Sequence, residues 1–219
     1  MIRTARLVAA KDLRIEARSR VLLWQVMPFG VMALLLCGLA LGPDRAGRSP
    51  SAPGLFYLVV LLVALLMINR SQGIEASPGT RSSVATLGLD PAGVFLGKAL
   101  ALLVELGATS IVLLGGAVLF LHTSLQGTLT ALPSVIVTLA ALAAAGSLYG
   151  ALTAGGAGAA TLLPVLALPA LAPLLIAGER SFYAALHGGG LWHWWVIIVV
   201  ALVSYVAIGI LLYGVLEDS

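Results

Sequence analysis

The residue in the most unusual place for chemistry is Glu105. It lies in a long apolar run, 92–121, where a lone carboxylate costs roughly 2.5–3.5 kcal/mol or more unless it faces water or a partner. Lys98 precedes it by seven residues, so the two side chains project from nearly the same helix face, about 10 Å apart along the axis. The pair is interpreted as a polar contact inside a helix bundle, beside a moving interface or a substrate path. The alternative is a protonated or snorkelling carboxyl.

The longest polar stretch after the first twenty residues, the loop 70–91, joins two apolar runs. Residues 77–80 are typical of a turn, and a short helix is predicted over 81–88 with a threonine as its cap. An aspartate followed by proline then predicts the start of the next helix. A loop with its own helix indicates docking to a partner outside the membrane, through Glu75, Thr80, Arg81, Leu87 and Asp90.

Aromatic and imidazole groups gather near the end of the chain, where the sequence 192–195 reads WHWW. A heme contact is one interpretation, and an aromatic belt at the membrane surface is the ordinary explanation. The spacing of the histidines fixes no metal site. The residues considered as heme or outer-face contacts are His122, His187, Trp192, His193 and Trp194.

Catalytic motifs are not found in the sequence. The segment 93–99, GVFLGKA, has one residue too few between its glycines for a phosphate loop, and alanine stands where Ser or Thr would hold magnesium. There is no C-x-x-C-H, G-x-S-x-G or H-E-x-x-H motif. We therefore expect a protein that is not an enzyme, has no metal site, and leaves ATP hydrolysis to a separate subunit.

Composition places these residues in a membrane. Of 219 residues, 60% are hydrophobic and 10% are charged, and the mean hydropathy is +1.08, which leaves too little polar surface for a soluble domain. The basic residues lie beside apolar runs, so they indicate topology or lipid headgroups rather than nucleic acid. The single cysteine, Cys37, cannot form an internal disulfide. The charged first twenty residues predict no cleavable signal peptide.

The predicted architecture is one all-α transmembrane domain over 1–219. Residues 1–20 form either an amphipathic helix on the membrane surface, with Ile2, Val8, Ala9 and Leu13 opposite its basic side, or a charged tail. The fifth apolar run contains three prolines that bend it, as a hinge or as a static kink. Six runs are long enough to span a bilayer, and they lie near 21–42, 54–69, 92–121, 131–154, 160–177 and 192–215.

Orientation follows from the distribution of Lys and Arg. If the N-terminus is cytoplasmic, nine basic residues lie on the inner side and only Arg45, Arg48 and Arg180 lie on the outer side. This bias predicts an inner-membrane protein with both termini and the loop 70–91 in the cytoplasm.

The chain resembles the CcmB family, the permease of the ABC-type complex in cytochrome c maturation. The likeness covers nearly the whole chain: KDLRIEARSR before the first span, LGLDPAGVFLGK leading into the third, the proline-rich LLPVLALPALAPLLIAG at 162–178, and VLED near the end. Glu75, Gly79 and Thr80 are similar to the family's cytoplasmic loop, and Glu105 to an acidic position in one of its branches.

The resemblance implies an ABC-2-type permease, an expected homodimer, that couples a CcmA-like ATPase to its spans through the 81–88 helix. Its further partners would be CcmC-like and CcmD-like membrane subunits and a CcmE-like heme chaperone. Heme would be a substrate rather than a bound cofactor. Two alternatives stay open from the residues: an ABC-2 exporter of another amphiphile, such as a lipid or drug, and a non-transporting membrane scaffold. A secondary transporter is disfavoured, because the sequence has no paired broken helices.

Overall fold

The computed structural model describes residues 1–42, 45–75, 90–153 and 159–217, with side chains except at 45–49, 72–75, 159–164 and 214–217. Within these ranges, all regular structure is helical. A π-helical turn, Leu22–Val26, leads directly into α2. The helices are α1 Ile2–Ser19, α2 Met27–Ala40, α3 Arg45–Glu75, α4 Pro91–Phe120, α5 Leu125–Thr153, α6 Ala159–His187 and α7 Trp192–Glu217.

Six helical segments in the described ranges are long and apolar enough to cross a membrane. The first combines the π-helical turn with α2, and the others lie in α3 to α7. A helix satisfies its backbone hydrogen bonds internally, which is what a bilayer requires of a spanning segment. The prediction of an all-α membrane protein with six spans is confirmed.

Helix α5 forms the centre of the bundle and contacts α3, α4, α6 and α7. Its residues 141–145 are all buried. A Cβ atom placed on the next residue, Gly146, would lie 2.6 Å from Ile68 Cδ1 and 3.1 Å from Leu102 Cδ2. The glycine therefore lets α3 and α4 approach α5 closely, as small residues do in membrane bundles.

The ends of the bundle differ in their connections. We call the end that holds α1, the end of α3 and the start of α4 the α1 side, and the other end the opposite side. On the opposite side, α4 and α5 are joined by a short turn in which His122 has a φ of 57°, and α6 and α7 by a turn that begins at Gly188, with a φ of 77°.

The fifth span extends further than the apolar run indicates. Helix α6 continues from Ala159 to His187, ten residues beyond the expected end at 177. It carries Glu179 and Arg180 inside its helical length, paired with each other at 3.3 Å. The prolines at 164, 169 and 173 do not end the helix.

A buried hydroxyl pair joins α5 to α6 in the bundle interior. Ser181 Oγ donates to Ser134 Oγ at 2.7 Å, and the two residues are 0% and 1% exposed. We expect Ser181→Ala to destabilise the bundle by about 0.5–1.5 kcal/mol, because the hydroxyl of Ser134 loses this partner. The coupling energy in a double-mutant cycle with Ser134→Ala should be about 0.6 kcal/mol. Reversible unfolding of purified variants in mixed micelles measures both, and strictly additive effects would contradict the pairing.

Candidate functional site

Helix α1 packs on the first half of α4 through two glycines spaced four residues apart. A Cβ atom on Gly93 would lie 2.7 Å from Thr4 Cβ, and one on Gly97 would lie 2.7 Å from the carbonyl oxygen of Ala5 and from Val8 Cβ. The small side chains of α1 are buried on this surface, as Ala5, Val8 and Ala9 show. The contact is thus between backbones, and the glycines permit it because they have no side chains.

The burial of the apolar residues of α1 agrees only in part with the amphipathic pattern. Val8 and Ala9 are buried against protein, but Ile2 is 75% exposed. The basic residues Arg3, Arg14 and Arg18 are exposed on α1. The amphipathic pattern predicted helix α1 correctly. Which apolar residues of α1 are buried depends on where Gly93 and Gly97 of α4 allow it to pack.

The first residue of α1 contacts the residue that begins α4. The Met1 amino group lies 2.8 Å from Asp90 Oδ2. This ammonium lowers the pKa of the Asp90 carboxyl, and the backbone N–H groups of Gly93 and Ala92 act in the same direction. Because the pKa is lowered on folding, the Asp90 carboxylate stabilises the folded state at every pH above the ordinary carboxyl pKa. This stabilisation is lost only as the pH falls through the lowered value. At neutral pH Asp90 therefore holds α1 in place, besides any contact it makes with a partner.

The last turn of α1 is tied to α3 and to the first span by one carboxylate. Arg70 Nη1 donates to Glu16 Oε2 at 2.6 Å, and Arg70 Nη2 donates to Ser19 Oγ at 2.9 Å. The N–H of Leu22 donates to Glu16 Oε1 at 2.6 Å. Arg20, with a φ of 53°, turns the chain between α1 and the π-helical turn, and this brings the Leu22 N–H toward Glu16.

A cavity of about 150 Å³ lies beside this pair, and Glu105 forms part of its wall. A second cavity of about 40 Å³ lies on the other side of Glu105 and includes Lys98 and Ser147. The sequence-based expectation that Lys98 and Glu105 share a helix face agrees with their lining this second cavity together. The charged residues around the first cavity are Lys11, Asp12, Glu16, Arg70 and Glu105.

The size of the first cavity limits what it can hold. Its volume of about 150 Å³ is below the roughly 300–1,000 Å³ of pockets for drug-sized ligands, so heme does not fit in it. Its ionisable lining and its volume suit several water molecules. The arrangement can hydrate Glu105 at membrane depth and bring acidic and basic groups to one cavity.

The predicted coupling residues lie around this region or outside the described part of the chain. Glu75 ends α3, but its side chain is among those not described. Thr80, Arg81 and Leu87, with the helix predicted over 81–88, lie outside the described residues. Asp90 stands at the start of α4. Both helices that flank the loop therefore contact α1, with Asp90 beside Met1 at its start and Arg70 beside Glu16 near its end.

The proposed heme-contact residues lie on the opposite side, in the turn between α4 and α5, at the end of α6 and at the start of α7. The His187 ring stacks on Tyr183 with centroids 4.2 Å apart. Trp192 is 76% exposed, whereas Trp194 is half-buried and packs against the core. His122 and His193 are exposed. Across 1–42, 45–75, 90–153 and 159–217, no three His, Cys, Asp or Glu side chains are arranged to hold a metal ion.

Sequence reasoning missed the Glu16–Arg70 pair and the glycine contact. Glu16 had a signal, since it stands among arginines in the segment RIEARSR immediately before the first span. Gly93 and Gly97 also had one, because a spacing of four is typical of close helix contacts in membranes. Nothing in the sequence indicates which helix covers those glycines.

Comparisons with known proteins agree with this architecture. The family model described as CcmB protein matches residues 3–213. A heme exporter protein B of Rhodobacter capsulatus is 28% identical over 175 residues, 80% of each chain. One of Pseudomonas aeruginosa is 28% identical over 191 residues, covering 83% of this chain and 82% of that protein, and one of Paracoccus denitrificans is 29% identical over 174 residues, 78% of each. The chain belongs to the CcmB family of membrane proteins.

Proposed function

We propose that the chain is the membrane permease subunit of an ABC transporter complex in cytochrome c maturation. It couples ATP hydrolysis on a partner subunit to heme delivery or to release of the heme chaperone. The observation that carries the proposal is the match to the CcmB family over residues 3–213, together with relatives named heme exporter protein B. The arrangement of α1 supports it, because α1 contacts both helices that flank the loop that would meet the ATPase.

The ATPase is a separate, CcmA-like protein in this proposal. The only glycine-rich segment that resembles a phosphate loop, 93–99, lies in α4, and its glycines at 93 and 97 pack against α1. A nucleotide cannot occupy a surface that another helix covers. The loop 70–91 is the part of this chain that would bind the ATPase, with Glu75, Thr80, Arg81 and Leu87 as its contact residues.

The location that fits this function is the inner membrane, with the α1 side in the cytoplasm. The nine-to-three bias of Lys and Arg toward that side supports this orientation. The remaining partners are CcmC-like and CcmD-like membrane subunits and a CcmE-like chaperone outside. The cavity near Glu105 is too small for heme, so heme would move along an interface with these subunits or with a second copy of this chain.

A mild-detergent purification of the tagged chain from its native membrane tests this proposal. Recovery of an ATPase together with CcmC-like and CcmE-like proteins is the expected result. An ATPase without those partners would favour an exporter of another amphiphile, and the absence of any ATPase would favour a scaffold.

A charge reversal in the loop tests where the ATPase binds. We expect Glu75→Arg to reduce ATPase recovery while membrane insertion stays normal, because the loop is the proposed contact. Arg180→Glu is the matched control, since Arg180 lies on α6 and is half-exposed. Equal ATPase recovery with both variants would count against contact at Glu75.

A further inference from the structure

The Glu16 carboxylate, on α1, contacts two further elements: the last turns of α3 and the π-helical turn that begins the first span. One oxygen accepts from Arg70, which lies five residues before the end of α3, and the other accepts from the N–H of Leu22. We propose that Glu16 is a positioning residue that transmits movement of the last turns of α3, through Arg70, to the π-helical start of the first span. This inference rests on the proposed function.

The first link is the pair between Arg70 and Glu16. Arg70 is on the last turns of α3, which runs to Glu75, so a displacement of the end of α3 by a bound ATPase reaches Arg70 through one continuous piece of helix. Its guanidinium uses two donors, one to Glu16 and one to Ser19 Oγ. Because the planar guanidinium is held at two points, a movement of Arg70 changes both the position and the orientation of its partners. A single lysine contact would change only the position.

The second link is the hydrogen bond from Leu22 to Glu16. The first N–H groups of a helix have no partner within it, and here the carboxylate supplies one at 2.6 Å. The helix that starts there is a π-helical turn, Leu22–Val26, a form that is rare and occurs frequently at functional sites. A shift of Glu16 therefore changes the capping of the least regular part of the first span.

The surroundings of the pair leave room for movement. Glu16 and Arg70 are 12% and 25% exposed, and both line the cavity of about 150 Å³. The first span itself is mostly exposed on the bundle surface, with Trp24, Met32 and Leu39 each more than half exposed. Its inner side packs on α3 and α4, where Val26 and Leu34 are buried in the core, so a movement at the start of the span is passed on to the bundle through this side.

Three variants distinguish the effect of the Arg70–Glu16 pair from that of the hydrogen bond between Leu22 and Glu16. Arg70→Met removes the ion pair but leaves Glu16 free to cap Leu22. Glu16→Gln keeps an acceptor for Leu22 and weakens the pair with Arg70, and Glu16→Ala removes both links. Arg14→Met is the matched control, because Arg14 is an exposed cation on α1 and its loss changes charge without touching either link.

The experiment uses the purified complex and measures amide hydrogen exchange at Leu22–Val26 with and without ATP. In the unaltered complex we expect nucleotide to change the exchange rate there. We expect the change to be lost in Arg70→Met and reduced in Glu16→Gln, with ATP hydrolysis and complex recovery retained and cytochrome c yield lowered about tenfold, within the usual range of coupling energies. Arg14→Met should match the unaltered complex.

Several outcomes would overturn the inference. A nucleotide effect at Leu22–Val26 that persists in Arg70→Met, or that is missing from the unaltered complex, would mean that Glu16 is only a structural contact. If Arg70→Met fails to assemble, the milder Glu16→Gln decides by the same exchange measurement. If no ATPase co-purifies with the unaltered chain, the proposed function fails first, and that failure is seen before any variant is made.

Discussion

Gly97→Leu is expected to detach α1 from α4 and to abolish cytochrome c maturation. At this position even a Cβ atom would lie 2.7 Å from the backbone oxygen of Ala5, and a backbone atom cannot turn aside as a side chain can. Overpacking of a tight contact costs roughly 1–3 kcal/mol. Here the clash with Ala5 is removed most easily if the whole of α1 moves away from α4. That movement also strains the Met1–Asp90 and Glu16–Arg70 pairs.

Gly107→Leu is the matched control for this prediction. Gly107 lies ten residues further along the same helix, and a Cβ atom there would meet nothing within 4 Å. The two variants add the same side chain to α4, so lipid exposure and helix propensity change in the same direction. Only Gly97→Leu should increase hydrogen exchange in Ile2–Ser19 and lower the unfolding midpoint in detergent. Similar behaviour of the two variants would show that α1 is not held by the glycine surface.

The parts of the fold that follow from local pattern could be predicted. Apolar length predicted six spans because a bilayer fixes how many residues a helix needs, and Asp90 followed by Pro91 predicted the start of α4 correctly. The end of α6 was not predictable in this way. Glu179 and Arg180 interrupt the apolar run, but they pair with each other at 3.3 Å, and the helix continues to His187.

The parts of the site that depend on long-range contacts could not be predicted. Glu16 and Arg70 are 54 residues apart, and their pairing follows from the way α1 folds back over α4. In the sequence Glu16 is flanked by Arg14 and Arg18, but no local rule gives it a partner 54 residues away. Glu105 was identified because a charge in an apolar run is unusual, whereas its neighbours Asp12 and Arg70 come from two other helices.

Glu105→Leu is expected to leave the stability of the protein unchanged or higher but to lower cytochrome c maturation. The carboxylate stands between the two cavities at membrane depth, and the described residues provide it with no side-chain hydrogen bond or ion pair. Replacing such a group with an apolar side chain of similar size is generally neutral or stabilising, here by about 0–2 kcal/mol. The fold therefore does not depend on this carboxyl, whereas a polar contact beside a moving interface would, so we expect cytochrome c maturation to fall while the protein inserts normally.

The controls for Glu105 distinguish its charge from its polarity. Glu105→Gln keeps the shape and loses the charge, so it should follow Glu105→Leu in maturation if the negative charge opposite Arg70 matters. Thr109→Val removes a polar group one turn further along α4, whose hydroxyl bonds only the carbonyl oxygen of Glu105 at 3.0 Å, and it should leave maturation unchanged. Cytochrome c yield at matched expression measures all three. Normal yield with Glu105→Leu would remove the acid from the coupling pathway and favour the scaffold alternative, because a scaffold needs the packing of α4 but not a charge inside it.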